Sequence, residues 1–405
     1  MTVRRLSSQP AQALLRQALA LALGAAISLG LARFSYALLL GPMRDDLGWR
    51  YVTAGAMNTA NAAGYLLGAL AVPHWIARRG PRSALVGGGL ATAGLLALHG
   101  LVQSEALLGL LRLLAGAASA ATFVSGGLLA ARLGSRAVGA LSASLVLGLY
   151  YGGTGIGIIV SALLVPAFTG AGEAFSWQPA WQALGAVALL MTLLMAWGTA
   201  SDGPLSASTG PAVPLHWQRF GFALAGYFLF GLGYIGYMTF IVTLLREQQL
   251  GSAAITAFYI TLGLGVVASS WLWAGLLQRW QGGQPMALLN ALLAFATLLP
   301  VLSTRPPAVF VSGALFGSVF LSVVAASTAV VRHNLPAASW PRGIAVFTAV
   351  FALGQIAGPS LVGLIADGPG GLARGLAVSA AVLALGAVLA LGQRPLAAQR
   401  RPGGR

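Results

Sequence analysis

Two arginines inside long apolar stretches are the residues of this chain that most clearly suggest chemistry. Arg33 lies in the apolar run from about residue 18 to 43, and Arg112 lies in the run from about 106 to 130. A charged side chain at the centre of a membrane helix costs about 2.5–3.5 kcal/mol, so such residues usually face a cavity inside the protein. A guanidinium group also binds a carboxylate through two parallel hydrogen bonds. The two arginines therefore predict either an anion-binding site or an internal brace on backbone carbonyls and polar side chains.

The composition identifies the class of protein that surrounds them. Of 405 residues, 58% are hydrophobic and only 7% are charged, and the mean hydropathy is +0.83. Soluble domains are about 25% charged. Apolar runs of about 20 residues recur along the chain, each long enough to cross a hydrocarbon core of about 30 Å. The composition predicts an all-α polytopic membrane protein in contact with the lipid bilayer.

Missing residue types exclude several classes of function. All 23 basic residues are arginines, and the chain has neither lysine nor cysteine. Without lysine there is no phosphate-binding loop and no Schiff base, so this chain alone does not drive transport with ATP. Without cysteine there is no thiolate metal site, and the four histidines show no ligand spacing. We expect no metal, no cofactor and no enzymatic activity. Because the arginines occupy short loops and form no basic face, we also expect no nucleic-acid partner.

The hydropathy pattern predicts twelve spans. Sixteen arginines fall in the tails and loops on the side of the N-terminus, and five fall on the other side. Since cytoplasmic loops collect arginine, this bias predicts that both termini are cytoplasmic. The predicted spans cover about 18–43, 51–74, 83–103, 106–130, 138–165, 180–200, 219–245, 253–277, 286–303, 307–331, 343–366 and 372–393.

An internal repeat divides the chain near its midpoint. The stretch from Gly30 to Tyr36 aligns with the stretch from Gly231 to Tyr237 at an offset of 201 residues, which places Arg33 opposite Tyr234. We predict a cytoplasmic tail (1–17), a six-helix bundle (18–200), a cytoplasmic linker (201–217), a second six-helix bundle (218–393) and a cytoplasmic tail (394–405). Transporters built from such repeats bind substrate between the halves, near the membrane midplane.

Three motifs connect the chain to a known family. They are the loop Ala77-Arg78-Arg79-Gly80-Pro81-Arg82, the span-four pattern of Leu108, Arg112, Ala115 and Gly116, and the glycine-rich repeats of spans five and eleven. Through these motifs the sequence resembles the major facilitator superfamily over nearly its whole length. The opening stretch, running on through Gly41-Pro42 to Asp46-Leu47-Gly48, further resembles the bacterial YbfB/YjiJ-type subgroup. The resemblance implies two pseudo-symmetric six-helix bundles in a bacterial inner (plasma) membrane.

The resemblance also implies roles for two sets of residues. The loop motif and its repeat counterpart imply a gating role for Arg78, Arg79, Gly80 and Arg279, with setting the topology as the alternative, because Ala77 replaces the family's acidic residue. The small residues of spans five and eleven imply a helix-packing pivot, and simple close packing in lipid is the alternative. The predicted pivot residues are Gly148, Gly152, Gly157, Gly354, Gly358 and Pro359.

The depth of the two arginines suggests what binds between the halves. Arg33 lies roughly 13 Å and Arg112 roughly 10 Å from the same, outer membrane side, given a helical rise of 1.5 Å per residue. All seven acidic residues lie at span ends or in loops. The compensating negative charge is therefore expected to arrive with the substrate, unless both arginines only brace the bundle. The candidate substrate-binding residues are Arg33, Tyr36, Asn58, Asn61, Arg112, Tyr234, Tyr237 and Gln355.

These observations predict a secondary active transporter. It would move a small organic solute, with a carboxylate as the leading candidate group, by alternating access driven by an ion or solute gradient. A proton-coupled exporter of neutral or cationic compounds is the alternative, and a non-transporting membrane sensor of the same fold is a more remote one. The expected partners are a small-molecule substrate and the bilayer, with protons as a candidate coupling ion, and we expect the protein to function as a monomer.

Overall fold

The computed structural model describes residues 8–135, 142–169, 173–199, 217–336 and 339–396. Within these residues the regular structure is entirely helical, with no β-strand, which confirms the all-α prediction. The described residues form twelve spans. They are span one (Ser8–Leu47), span two (Tyr51–Arg79), span three (Pro81–His99), span four (Glu105–Ser135), span five (Ala143–Leu164), span six (Trp177–Gly198), span seven (Gly221–Glu247), span eight (Ser252–Leu272 and Ala274–Arg279), span nine (Gln284–Leu302), span ten (Pro306–Asn334), span eleven (Trp340–Ala366) and span twelve (Gly371–Leu391).

The helices depart from the predicted spans most clearly in spans one and eight. Span one begins at Ser8, so the predicted tail of residues 1–17 contributes more than two helical turns. Span eight bends at Trp273. The predicted linker lies outside the described residues except for residue 217, where a 3₁₀ turn, Trp217–Phe220, leads into span seven.

By length and composition, ten of the twelve spans are apolar enough to cross a membrane. The other two, spans two and three, are helices of 29 and 19 residues, and both pack against span four. Span two falls short because it carries polar side chains such as Asn58 and Asn61, both of which are buried against other helices. A helix that is lined on several sides by protein can hold amides at a depth where a lipid-facing helix could not.

Contacts between helices group the spans into two sets of six. Spans one to six pack among themselves, and spans seven to twelve do the same. Across the two sets, span two packs along span eleven and span five packs along span eight. The last section of span one, Tyr36–Leu47, also packs against span seven, whereas the first section, Ser8–Ala25, packs within its own half. Among the described residues, the two halves therefore approach each other more closely at the end that carries Leu47.

The two ends of the molecule differ in charge. All six described acidic residues lie at the end reached by Leu47, which we call the acidic end. The opposite end, which we call the basic end, carries arginines in the last turns of spans two, four, eight and ten, among them Arg79, Arg132, Arg279 and Arg332. The membrane interior between the two ends, as far as it is described, contains only two charged side chains, Arg33 and Arg112.

Candidate substrate-binding site

Arg33 lies on an irregular part of span one. Residues Ala26–Phe34 form a π-helical segment in which the backbone N–H of Ser35 donates to the carbonyl of Gly30 at 3.1 Å. Gly30 touches Gly157 of span five so closely that a Cβ atom would overlap the glycine backbone. π-Helical segments are rare and are frequently found at functional sites. The wider turn thus places Arg33 next to the interface between the two halves.

The guanidinium of Arg33 makes its polar contact with the opposite half. Its Nη2 donates to Oε1 of Gln355 in span eleven at 2.8 Å, and the Gln355 amide donates in turn to the hydroxyl of Tyr234 in span seven. Arg33 and Tyr234, which the repeat places opposite each other, therefore meet on one glutamine. Pro359 has no N–H to donate to the Gln355 carbonyl one turn back, so span eleven is also irregular at this contact.

Arg33 is buried but incompletely paired. The residue is 3% exposed, and its Nε has no hydrogen-bond partner among the described residues. The guanidinium carbon lies 5.7 Å from the ring centroid of Tyr65 in span two, a cation–π distance. The charge is thus held by one amide and one aromatic ring, and a donor remains free to bind a further acceptor.

Arg112 differs from Arg33, because each of its guanidinium nitrogens donates a hydrogen bond to an acceptor within the first half. Nη1 donates to the carbonyl of Ala32 at 2.9 Å, Nη2 donates to Oδ1 of Asn58 at 3.1 Å, and Nε donates to the carbonyl of Met57 at 3.4 Å. The guanidinium carbon also lies 4.6 Å from the ring centroid of Tyr36. These contacts tie span four to spans one and two.

The two arginines are neighbours, since the residue before Arg33 supplies a carbonyl to Arg112. Like charges that are buried near each other repel, because each disfavours the charged form of the other. Because the described membrane interior holds no carboxylate, this repulsion is not offset by an ion pair there. Two buried cations without a counter-charge are an unfavourable arrangement that a bound anion would relieve.

Three other predicted site residues lie around Arg112. The hydroxyl of Tyr36 donates to the carbonyl of Ala54 at 2.9 Å, and Tyr36 is fully buried. Asn61 donates to the carbonyl of Arg112 at 3.1 Å, while its Oδ1 has no partner among the described residues. Asn58 faces both halves, because its Nδ2 also donates to Oγ1 of Thr239 in span seven at 2.7 Å. The structure therefore places Tyr36, Asn58 and Asn61 with Arg112 and not with Arg33.

Tyr237 lies apart from both arginines. Its hydroxyl shares a hydrogen bond of 2.7 Å with Ser312 of span ten, and its ring stacks on Phe316 at 4.0 Å. Tyr234, one turn earlier, stacks on Phe230 and Phe320 at 4.7 and 5.9 Å. Of the eight predicted binding residues, the structure thus brings Arg33, Gln355 and Tyr234 into one cluster between the halves.

The predicted pivot residues fall into two groups. Gly148 and Gly152 of span five face span eight, and Pro359 of span eleven lies against Gly55 of span two, so these three lie between the halves. The other three lie against the first helix of their own half. Gly157 faces span one, and Gly354 and Gly358 face span seven. The same small-residue repeats therefore serve contacts within and between the halves.

The predicted gating residues lie at the basic end. Gly80 joins spans two and three with φ +79°, a value that glycine adopts readily. Arg78, Arg79 and Arg279 are exposed and make no ion pair within the described residues. The bonded arginine of this loop is Arg82, which donates to the carbonyls of Ala196 and Thr199 at 2.8 and 3.0 Å. Arg82 thus satisfies carbonyls at the end of span six, where a helix has no internal donors.

The acidic end is closed by contacts that join the halves. Asp367, after span eleven, accepts from the backbone N–H groups of Tyr51 and Val52 at 2.8 and 3.0 Å, and pairs with Arg50 at 3.4 Å. A carboxylate at the start of a helix satisfies unpaired N–H groups and complements the helix dipole. The carboxylate therefore caps span two from the opposite half.

A second group of contacts lies beside this cap. The hydroxyl of Tyr51 bonds the carboxylate of Glu247 at the end of span seven. Arg246 donates to the carbonyl of Leu38 in span one at 3.1 Å. Next to Arg246 is a cavity of about 410 Å³ that Asp45, Asp46 and Glu173 also line. Each bond joins one half to the other, so these bonds hold the two halves together at the acidic end.

Comparison with known proteins fits this architecture. The model of a family described as uncharacterised MFS-type transporter YbfB matches residues 25–391. This chain belongs to that family. It is a major facilitator transporter of the membrane, as the motifs in its first, fourth and fifth spans indicate. A comparison with curated protein sequences finds no match.

Solved structures show the same fold. A bacterial homologue of the human lysosomal transporter Spinster, in an inward-facing and unoccupied conformation, is 15% identical with a TM-score of 0.65, and the match covers 94% of each chain. The nucleoside transporter NupG is 14% identical with a TM-score of 0.66, and the match covers 92% of this chain and 98% of NupG. At these identities the likeness concerns the fold.

Several residues that shape the site were not predicted. Thr239 carries no signal of its own, since a threonine in an apolar helix usually bonds its own helix. Tyr65 shares a helix face with Asn58 and Asn61, so the polar stripe of span two pointed to it. Asp367 looked like a loop carboxylate, and only the fold shows that it caps span two. No group of residues able to hold a metal ion occurs in the described part of the chain.

Proposed function

We propose that the protein is a secondary active transporter that carries a small organic anion, most simply a carboxylate, across the inner membrane by alternating access. The observation that carries the proposal is the state of Arg33. It is a buried guanidinium between the two halves, bonded to a neutral glutamine, with one donor free. An unpaired buried charge is costly, and a carboxylate accepts two parallel bonds from an arginine.

The position of Arg33 supports binding in preference to bracing. A brace would bond fixed groups of its own half, as Arg112 does through Ala32 and Met57. Arg33 instead bonds Gln355, which belongs to the half that must move. A substrate anion that takes the free donor and competes with Gln355 changes the contact between the halves, and this differential binding is what couples a ligand to a conformational change.

The distribution of contacts supports alternating access. In this conformation, capping by Asp367 and the bonds of Arg246 and Glu247 hold the acidic end together. The initial section of span one has no comparable packing against span seven in the described residues. We assign the acidic end to the outside and the basic end, with both termini, to the cytoplasm, because cytoplasmic loops collect arginine. The conformation then corresponds to a site closed to the outside.

The source of energy follows from the missing groups. The described membrane interior has no aspartate or glutamate that could carry a proton, and the sequence has no nucleotide-binding motif. Anion exchange, or cotransport with an ion held together with the substrate, therefore suits this site better than an embedded carboxylate relay. The alternative of an exporter for cationic compounds is disfavoured because Arg33 repels a cation. We propose that the monomer is the working unit, with one site between its two halves.

The test separates binding from bracing. Purified protein is screened by thermal unfolding against small carboxylates, each paired with its amide, and the stabilising acids are followed into proteoliposomes under an imposed pH or counter-anion gradient. We expect carboxylates but not amides to stabilise the wild type. In Arg33→Gln we expect both the stabilisation and the uptake to be lost. Arg33→Lys keeps the charge but cannot form two parallel hydrogen bonds to a carboxylate, so we expect it to retain weak uptake. Full uptake by Arg33→Gln would overturn the proposal.

A further inference from the structure

Aromatic side chains from both halves lie near the guanidinium of Arg33. On the side of the first half, the ring centroid of Tyr65 lies 5.7 Å from the guanidinium carbon of Arg33, and Phe123 of span four follows at 6.4 Å from Tyr65. Tyr151 of span five comes next, 6.0 Å from Phe123. Tyr65 and Phe123 are half-buried and Tyr151 is 38% exposed. We call these three residues the first aromatic wall.

The second half supplies a matching wall. Tyr234 stacks against Phe351 at 5.7 Å with the rings 18° from parallel, and Phe351 stacks against Tyr227 at 4.9 Å and 16°. We call these three residues the second aromatic wall. Tyr234 is tied to Arg33 through Gln355, so the two walls meet at the same guanidinium.

The two walls converge on Arg33. The ring centroid of Tyr65 lies 5.7 Å from its guanidinium carbon, and the hydroxyl of Tyr234 accepts from Gln355, which itself accepts from Arg33. Tyr65, Phe123 and Phe351 are half-buried and Tyr151 is 38% exposed, so both walls have ring surface that the protein does not cover. Among the described residues, Arg33 is the charged side chain that lies within cation–π distance of a wall.

We propose that the transported anion is an aromatic monocarboxylate, with its carboxylate on Arg33 and its ring between the two aromatic walls. The inference rests on the proposed function and narrows it to a substrate class. Aromatic rings prefer partners at centroid distances of about 4.5–7 Å in stacked or edge-on geometry, the spacing found within both walls. A second carboxylate would find no free cation, because the guanidinium of Arg112 is already bonded to Ala32, Asn58 and Met57.

The test uses matched ligands on the full-length purified protein. Benzoate and 2-naphthoate are compared with their saturated analogues, cyclohexanecarboxylate and decahydro-2-naphthoate, and with benzamide and 2-naphthamide. Binding is measured by calorimetry and by thermal shift. We expect at least one aryl acid to bind ten times or more tightly than its saturated analogue, and the amides not to bind.

Variants of the two walls show whether the difference in affinity between aryl and saturated acids arises at the site or from partition of the ligands into detergent. Tyr65→Leu and Phe351→Leu are expected to weaken the aryl acid at least fivefold while leaving the affinity for the saturated acid within twofold. Phe222→Leu is the matched control, because Phe222 lies in span seven and is 53% exposed. A variant that does not fold is replaced by Tyr65→Phe and Phe351→Tyr, which keep the ring and are expected to keep the preference.

The outcomes separate the inference from the proposed function. Equal affinity for aryl and saturated acids overturns the aromatic preference and leaves an anion carrier. Amides that bind as tightly as the acids overturn both. Failure of every aryl acid to bind, with aliphatic acids active in the carboxylate screen, overturns the substrate class alone.

Discussion

Arg112 in span four and Arg33 in span one are both buried in the same half, and the two spans pack together. Their hydrogen-bond partners nevertheless differ. The guanidinium of Arg112 uses all of its nitrogens on acceptors of its own half. The guanidinium of Arg33 bonds the opposite half and leaves Nε free. A charge that is satisfied within one rigid bundle stabilises that bundle through the whole cycle. In the proposed transport cycle, a charge that is bonded across the interface between the halves would change its partners as the interface opens, as a substrate site requires.

The largest effect that this contrast predicts is on stability. Arg112→Gln removes a buried cation and leaves the carbonyls of Ala32 and Met57 and Oδ1 of Asn58 without their donor. We expect the variant to lose about 2–4 kcal/mol of stability, seen as a clear fall of the unfolding temperature in detergent. Arg33→Gln, the matched substitution, is expected to unfold near the wild-type temperature. If the two variants lose equal stability, the distinction between brace and site fails.

The next largest effect concerns anion binding. Gln355→Glu places a fixed carboxylate 2.8 Å from Arg33, at the position of the present amide oxygen. The internal charge pairs with the guanidinium, so we expect the affinity for a carboxylate ligand to fall at least tenfold, about 1.4 kcal/mol, without loss of stability. Calorimetry with the acid that stabilises the wild type measures this affinity. Gln278→Glu, an exposed position at the basic end, is the control. Unchanged affinity in Gln355→Glu would show that the anion does not occupy this contact.

A smaller effect is expected where the two networks join. Thr239→Val removes the bond from Asn58 to span seven and leaves the bond from Asn58 to Arg112 intact. One hydrogen bond contributes about 1 kcal/mol, so we expect about a fivefold shift towards opening of the acidic end. Thr261→Val, whose hydroxyl bonds its own helix and is exposed, serves as the control.

Spin labels can report this shift because the chain has no cysteine. Cysteines at Glu105 and Arg305, exposed positions at the acidic end in opposite halves, give the distance between the halves there. We expect a longer distance population in Thr239→Val and none in Thr261→Val. An unchanged distance distribution would mean that Asn58 does not contribute to holding the halves together.

The smallest effect is expected at the exposed arginines of the basic end. Arg79→Gln removes a solvated charge with no ion pair in the described residues, so we expect stability within about 0.5 kcal/mol of wild type and uptake within twofold. Arg82→Gln is the comparison, because it frees two carbonyls of span six and is expected to be less stable. Loss of uptake in Arg79→Gln, with normal stability, would instead support the gating role.

The candidate site was only partly predictable. The cost of a buried charge singled out Arg33 and Arg112, and Asn58 and Asn61 of span two were predicted as site residues with them. The sequence could not distinguish a bracing arginine from a binding one, because the partners of Arg112 are mostly backbone carbonyls, which every residue has. Which carbonyls are within reach depends on how spans one and two pack against span four. The same limit hid Asp367, whose partners are backbone N–H groups of the other half.

The amino-acid sequence by itself determined the class of the protein, its all-helical fold and its family. These follow from local hydrophobicity and spacing, because each apolar run that is long enough can span the bilayer as a helix of its own. Only the tertiary structure decided that every guanidinium nitrogen of Arg112 is hydrogen-bonded and that Nε of Arg33 is not. Gln355 lies 322 residues from Arg33, and a contact at that separation exists only when two helices of different halves are packed together. The irregular backbone at Ala26–Phe34 and at Pro359 lies next to these two side chains. Neither irregularity indicates which residue of the other half is contacted.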